Sequence, residues 1–162
     1  MSNSNNINFK NKSLVLIDQS NIHYAMKNEQ WEIDYKKFYE WLKNNFQIFD
    51  VYFYCGLISQ KAFFDRHKKL NPQTDFMSFK KEKDKAKSFF KFLKSIGYKI
   101  KTKPLSSVYD STSGSYKNKC NFDVEITITA IDLINNYDIL VLVSGDGDFI
   151  KLLKYIKGKH KN

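Results

Sequence analysis

Short apolar runs alternate with longer amphipathic stretches along the chain. The runs "LVLI" at 14–17, "VYFYC" at 51–55 and "ILVLVS" at 139–144 have the length and composition of strands buried in a sheet. The segment "YKIKTK" at 98–103 alternates apolar and polar residues, which predicts a strand nearer the sheet edge. The pattern therefore predicts about four strands.

The stretches between these runs carry apolar residues at helical spacing. After Asp34, the positions of Tyr35, Phe38, Trp41 and Leu42 predict a helix that reaches about residue 46. Gly97 is the expected C-cap of a longer lysine-rich helix. This lysine-rich helix is predicted at 78–96, and two further helices are predicted at 59–72 and 149–158.

The segment "DVEITITAIDLINN" at 123–136 has two readings. Val124, Ile126 and Ile128 alternate as in a strand, whereas Val124, Ile128, Ile131 and Asn135 follow one side of a helix. A strand follows immediately, and two consecutive asparagines at 135–136 suit a helix end. We therefore predict a helix.

Two segments are polar and lack such a period. Residues 1–12 are expected to form a disordered N-terminal tail, so that 13–162 would be a single domain. The segment 104–119, "PLSSVYDSTSGSYKNK", is expected to be a long polar loop, and loops of that length are usually functional or mobile.

Strands alternating with helices predict an α/β fold, in which a central parallel sheet is covered by helices on both faces as a three-layer sandwich. With the strand order 3-2-1-4, the first and last strands are neighbours. Ligands bind beyond the carboxyl ends of such strands, where the strand order reverses. That order places Asp18, which ends the first run, beside Asp146 and Asp148, which follow the last.

Carboxylates that meet in one crevice repel one another unless a cation or a raised pKa relieves them, and hard oxygen ligands suit Mg²⁺ or Mn²⁺. Asp123, at the start of its predicted helix, is a further candidate, and Asn21 can add an amide. Structural roles stay open: Asp18 and Asp123 can each act as an N-cap. Ser144 can be a turn hydroxyl or contact a phosphate.

Composition narrows the function classes. The net charge of +10 favours polyanionic partners, yet nearly all of the positive charge is lysine, which argues against bidentate base reading by arginine. Cys55 and Cys120 lack metal-ligand spacing and are expected to be packing residues in a reducing, cytoplasmic compartment. No apolar run reaches the length of a membrane span, and no phosphate-binding glycine loop is present.

The segments "LVLIDQSNI", "KCNFDVEI" and "VLVSGDGDF" resemble the NYN domain family, in its LabA-like branch within the PIN-like nuclease group. The likeness runs from about Leu14 to Gly158. It implies a PIN-like, Rossmann-like fold and a ribonuclease that hydrolyses RNA phosphodiester bonds with Mg²⁺ or Mn²⁺. By position it implies a catalytic set of Asp18, Asn21, Asp123, Asp146 and Asp148, whose four aspartates would bind the metal.

Two departures from the family pattern qualify this expectation. Related sequences often carry another aspartate at the position of Thr129, and a threonine cannot supply that charge; Glu125 or Asp132 would have to compensate. After Gly158 only "KHKN" remains, where the family usually continues into another strand.

We expect the substrate to be single-stranded RNA. Its backbone would be held by Lys101, Lys103, Lys117 and Lys119 and by Ser144, with Tyr109 or Tyr116 stacking on unpaired bases. A weakened or inactive RNA-binding regulatory protein is the alternative, and a phosphohydrolase acting on small esters is a third class. The sequence leaves a homodimer open.

Overall fold

The computed structural model describes residues 12–67, 76–112 and 114–159, without the side chains of residues 66, 115 and 118. The predicted tail at 1–11 and the end of the basic helix predicted at 59–72 lie outside the described residues. In chain order the elements are β1 (Lys12–Asp18), α1 (Gln19–Glu29), α2 (Tyr35–Asn45), β2 (Gln47–Leu57), α3 (Gln60–His67), α4 (Phe76–Ile96), β3 (Lys99–Pro104), β4 (Ser106–Asp110), β5 (Ser115–Lys119), α5 (Asp123–Asp132), β6 (Ile139–Val143) and α6 (Ile150–Lys159).

Within the described residues, a parallel sheet of four strands has the order β3-β2-β1-β6. This is the predicted order 3-2-1-4, and β3 lies at an edge as expected. The central strand β1 is buried on both faces, since Leu14 to Ile17 are 0% exposed. Its side chains alternate across the sheet, so one strand contributes to two cores.

The two cores make the fold a three-layer sandwich. On one face Leu14 and Leu16 pack with Ile126 of α5 and Leu152 of α6. On the other face Val15 and Ile17 pack with residues of three further helices, Ile22 of α1, Leu42 of α2 and Leu93 of α4. The α/β architecture with helices on both faces is therefore confirmed. No helix in the described ranges is both long enough and apolar enough to cross a bilayer.

Local signals at two helix ends are confirmed. The Asp34 carboxylate accepts hydrogen bonds from the backbone N–H groups of Lys36 and Lys37, which caps α2. Gly97 ends α4 with a φ of +126°, a conformation that an L side chain rarely adopts. A Cβ atom at this position would also collide with the Tyr39 hydroxyl.

The segment 123–136 forms helix α5, as predicted, although the helix ends at Asp132 rather than at the two asparagines. The apolar stripe from which the helix was predicted, which includes Val124 and Ile128, is not the side of α5 that is buried. Val124 and Ile128 are exposed, while Ile126 and Ala130 face the sheet. Spacing therefore identified the element but not its orientation.

The predicted polar loop at 104–119 is wrong: the segment forms the antiparallel hairpin of β4 and β5. At its turn, the Asp110 carboxylate accepts a hydrogen bond from the Thr112 N–H at 3.0 Å, and Gly114 has a φ of +59°. A two-stranded hairpin needs no buried apolar face along its whole length, so polar composition concealed the strands. The backbone Leu105 N–H donates to Leu57 O, which anchors the hairpin to the end of β2.

Candidate functional site

Two neighbouring strands end side by side at the carboxyl edge of the sheet. In the parallel pairing of β1 with β6, Ile17 lies opposite Val143. The next residues along the two strands are Asp18 and Ser144. Strand pairing, rather than sequence proximity, brings these two positions together across 126 residues of chain.

Asp18 is 4% exposed and serves as the N-cap of α1. Its Oδ1 accepts a hydrogen bond from the Ser20 N–H at 3.0 Å, and its Oδ2 accepts one from Asn21 Nδ2 at 2.6 Å. A buried carboxylate needs such donors because it has lost most of its water. The capping role that the sequence left open is therefore present, and Asn21 lies beside Asp18 as expected.

Ser144 links Asp18 to the loop that carries the other acids. Its hydroxyl lies 3.5 Å from Asp18 Oδ2 and accepts a hydrogen bond from the Asp146 N–H at 3.2 Å. The Asp146 carboxylate in turn accepts the Asp148 N–H at 2.9 Å and caps the helical turn at Gly147–Phe149. Ser144 is thus a turn hydroxyl, and the buried Asp18 helps to position the loop.

Asp123 is held by its neighbour Asn121. Asn121 Oδ1 accepts the Asp123 N–H at 2.7 Å, and Asn121 Nδ2 donates to Asp123 Oδ2 at 2.6 Å. The expected N-cap role of Asp123 is wrong, because it is the first residue of α5 and Phe122 occupies the cap position. Sequence reasoning missed Asn121, although an asparagine two residues before an aspartate at a helix start is a recognisable turn signal.

The carboxylates of Asp123, Asp146 and Asp148 come together. Each offers an oxygen, and these atoms lie within 4.8 Å of one another. Asp18 is not one of the three; it is buried and is linked to Asp146 through Ser144. Within the described part of the chain, no lysine or arginine forms an ion pair with any of the three.

This donor set fits a hard divalent cation. Two unit charges 4.8 Å apart repel by about 1 kcal/mol in bulk water, and by more where protein replaces water. Mg²⁺ prefers a few carboxylates and retains several waters. Asp146 and Asp148 are exposed and Asp123 is half-buried, so a cation held there would keep access to water and to a ligand.

The acids expected to compensate for Thr129 do not join this group. The Glu125 carboxylate pairs with Lys103 Nζ at 2.6 Å. Although burial acts to raise the pKa of Glu125, the Lys103 hydrogen bond and charge lower it overall. Asp132 is exposed at the far end of α5. Thr129 Oγ1 accepts a hydrogen bond from the Tyr54 hydroxyl at 2.7 Å and donates to Glu125 O at 2.8 Å.

The four predicted substrate-binding lysines occupy different environments. Lys103 is bound to Glu125 and lies 4.8 Å from the centre of the Phe122 ring, and Lys101 lies 5.6 Å from that of Tyr52. On the hairpin, Lys117 pairs with Asp110 at 2.5 Å, and Lys119 is exposed.

An apolar groove of about 510 Å³ adjoins the site on the side of α1 and α2. Asn21, Ser144 and Gly145 form its end nearest Asp18, and Trp31 and Phe38 contribute aromatic surface. The three acids do not line this groove, but Ser144 and Gly145 at its end directly precede Asp146 in the chain.

A model of the NYN domain family matches residues 12–162. The low amplitude and bright protein LabA of Synechococcus elongatus is 27% identical over 148 residues, which cover 90% of this chain and 67% of that protein. The crystal structure of a protein of unknown function from Vibrio parahaemolyticus superposes on this chain with a TM-score of 0.66 at 23% identity. The superposition covers 99% of this chain and 81% of that protein, and it shows a likeness of fold. The chain belongs to the NYN domain family.

Proposed function

We propose that this protein is a metal-dependent ribonuclease that hydrolyses RNA phosphodiester bonds at the carboxyl edge of its sheet. The observation that carries the proposal is the convergence of Asp123, Asp146 and Asp148 within 4.8 Å in a chain of the NYN domain family. NYN domains belong to the PIN-like nuclease group, for which a nucleic-acid substrate and divalent metal ions are expected. The net charge of +10 supports a polyanionic substrate.

The proposed roles of the residues follow from their positions. Asp123, Asp146 and Asp148 would hold Mg²⁺ or Mn²⁺, and Asp18 and Asn21 would complete the site from below, Asp18 through Ser144. A divalent ion bound there would supply a water of lowered pKa and positive charge next to the phosphoryl group. Asn121 keeps the Asp123 carboxylate oriented.

The proposed substrate contacts come from basic residues around this edge. Lys119 is exposed on β5, the strand that leads into Asp123, and Lys117 lies two residues before it. Lys101 lies on β3. Lys103 would have to exchange Glu125 for a phosphate, and Lys117 would have to exchange Asp110, since each lysine is paired with that acid. Lysines act here as point charges that hold the backbone without reading the bases. Ser144 would approach a phosphate only by rotating away from the Asp146 N–H.

The test is cleavage of a labelled single-stranded RNA with Mg²⁺ or Mn²⁺. Asp146→Asn should lower the cleavage rate by orders of magnitude, because a metal ligand is lost while the acceptor for the Asp148 N–H is kept. Asp84→Asn is the matched control, since Asp84 is an exposed acid on α4 paired with Lys87. Equal cleavage by both variants would refute the assignment.

A second candidate, an RNA-binding regulatory protein without catalysis, is favoured by one observation. Thr129 stands where related sequences often carry an acid, and its hydroxyl is committed to Tyr54 and to the helix backbone. Glu125, which could have substituted, is neutralised by Lys103. RNA binding without cleavage, in the wild type as in Asp146→Asn, would establish this alternative.

A further inference from the structure

The hairpin of β4 and β5 stands at the same edge of the sheet as the acids. It follows β3 directly and runs into α5, so that three residues separate Lys119 from Asp123. Four peptide units span at most about 14 Å, which keeps the base of the hairpin within that distance of Asp123. The Ser20 hydroxyl lies 3.5 Å from Cys120 O, which also ties this end of the hairpin to the helix capped by Asp18.

Two tyrosines form a cross-strand pair on this hairpin. Tyr109 lies opposite Tyr116 in the strand register, and their ring centroids are 5.3 Å apart in an edge-to-face arrangement. Tyr109 is 52% exposed and Tyr116 is 38% exposed. Such a pair stabilises an antiparallel ladder. Stabilisation alone does not require that so much aromatic surface face water.

Basic residues alternate with these rings. Lys117 and Lys119 follow Tyr116 along β5, on the opposite face of the hairpin from that ring. Together with Tyr109 they line a polar recess of about 330 Å³, so one of the two rings and both lysines border the same space. The carboxylate of Asp110 forms a hydrogen bond with Lys117 that raises the pKa of this lysine. Lysines that hold a backbone, interleaved with exposed aromatic rings, are the combination that binds single strands without sequence preference.

We propose that Tyr109 and Tyr116 form a stacking subsite for the unpaired bases of single-stranded RNA, with Lys117 and Lys119 holding its backbone. The inference rests on the proposed function in that RNA is the ligand. Bases in a duplex are already stacked and cannot offer a face to the rings. The subsite therefore selects unpaired RNA and holds it a few nucleotides from the acids.

The experiment measures binding rather than cleavage, with Asp146→Asn as the background and EDTA present. The probes are a fluorescent single-stranded RNA, an abasic strand of equal length and a duplex. Tyr109→Ala and Tyr116→Ala should each bind the base-bearing strand about tenfold more weakly, because base stacking on an aromatic ring is lost. The abasic strand should bind equally to the parent and to both variants.

Two controls separate stacking from folding. Tyr109→Phe and Tyr116→Phe keep the aromatic rings and should keep the affinity for the base-bearing strand. Tyr155→Ala removes a tyrosine of similar exposure, 47%, on α6 and should also keep that affinity. A collapsed hairpin would displace Lys117 and Lys119 and weaken the abasic strand as well.

The proposal is overturned if the alanine variants bind the base-bearing strand as the parent does, if they lose affinity equally for the abasic strand, or if no single strand binds. Failure of the nuclease proposal looks different. If the wild type binds RNA through the tyrosines but never cleaves it, the subsite proposal stands and the ribonuclease proposal fails. If the wild type cleaves RNA and the tyrosine variants bind it as the parent does, the ribonuclease proposal stands and the subsite proposal fails.

Discussion

The hydroxyl of Tyr54 on β2 donates a hydrogen bond of 2.7 Å to Thr129 Oγ1 on α5. Tyr54 is 0% exposed, and burial raises the pKa of its hydroxyl to about 12. The bond joins the sheet to the helix that begins with Asp123. Thr129 is thus a structural partner of Tyr54 at a position where the family resemblance suggested an absent acid.

Thr129→Val should lower the free energy of unfolding by about 1 to 3 kcal/mol, because it leaves the buried Tyr54 hydroxyl without a partner. In the Tyr54→Phe background the same change should cost much less, since no hydroxyl remains to be stranded. Urea denaturation of the four proteins gives the coupling energy. Additive effects would mean that this hydrogen bond does not hold α5 to the sheet.

The acids should make stability depend on divalent ions. At a hundred times its dissociation constant, Mg²⁺ or Mn²⁺ should stabilise the wild type by about 2.7 kcal/mol, which is measured as a higher midpoint of thermal unfolding. Asp148→Asn should remove most of this shift. In EDTA the variant should be at least as stable as the wild type, because one repelling charge is gone.

Asp84 lies on α4, is paired with Lys87 and is not one of the three acids, so Asp84→Asn should keep the full metal-dependent shift. A shift of equal size in the wild type and in both variants would place the metal elsewhere.

Two substitutions of Asp18 separate its capping role from its proposed catalytic one. Asp18→Asn keeps an oxygen that can accept the Ser20 N–H, whereas Asp18→Ala loses the cap and should destabilise the protein by about 1 kcal/mol or more. Both should lower RNA cleavage strongly if the charge matters. Denaturation and RNA cleavage measured on both variants distinguish the two roles. Full activity of Asp18→Asn would show that Asp18 acts only as the N-cap of α1.

The Lys103–Glu125 pair should make stability depend on pH. The pKa of Glu125 is lowered in the folded protein below its ordinary value of 4.5, so the pair contributes stability above that value and loses it as the pH falls through the folded pKa. Because the two side chains are 35% and 43% exposed, Lys103→Met should cost only about 0.5 kcal/mol at pH 7. The difference from wild type should vanish in strong acid, and a difference independent of pH would point instead to lost packing on Phe122.

Local patterns predicted most of the elements. The run at Leu14–Ile17, which had no polar alternation, identified the central strand, and Asp34 and Gly97 marked helix ends correctly. The hairpin was missed because β4 and β5 are largely polar and contain no apolar run, and their pairing depends on residues that are opposite each other rather than adjacent in the chain. The exposed stripe at Val124 and Ile128 shows the same limit, since spacing does not reveal which side the sheet covers.

The sequence by itself determined the α/β order of elements, the acidic residues after two strands and the family, because each of these depends on short-range periodicity or on residue identity. Only the tertiary structure decided which acids meet. Pairing of β1 with β6 buried Asp18 as a cap, the turn at Asn121 directed Asp123 toward Asp146 and Asp148, and Tyr54 engaged Thr129. These outcomes depend on distances between segments far apart in the chain, which are set by packing on the sheet and not by any local pattern.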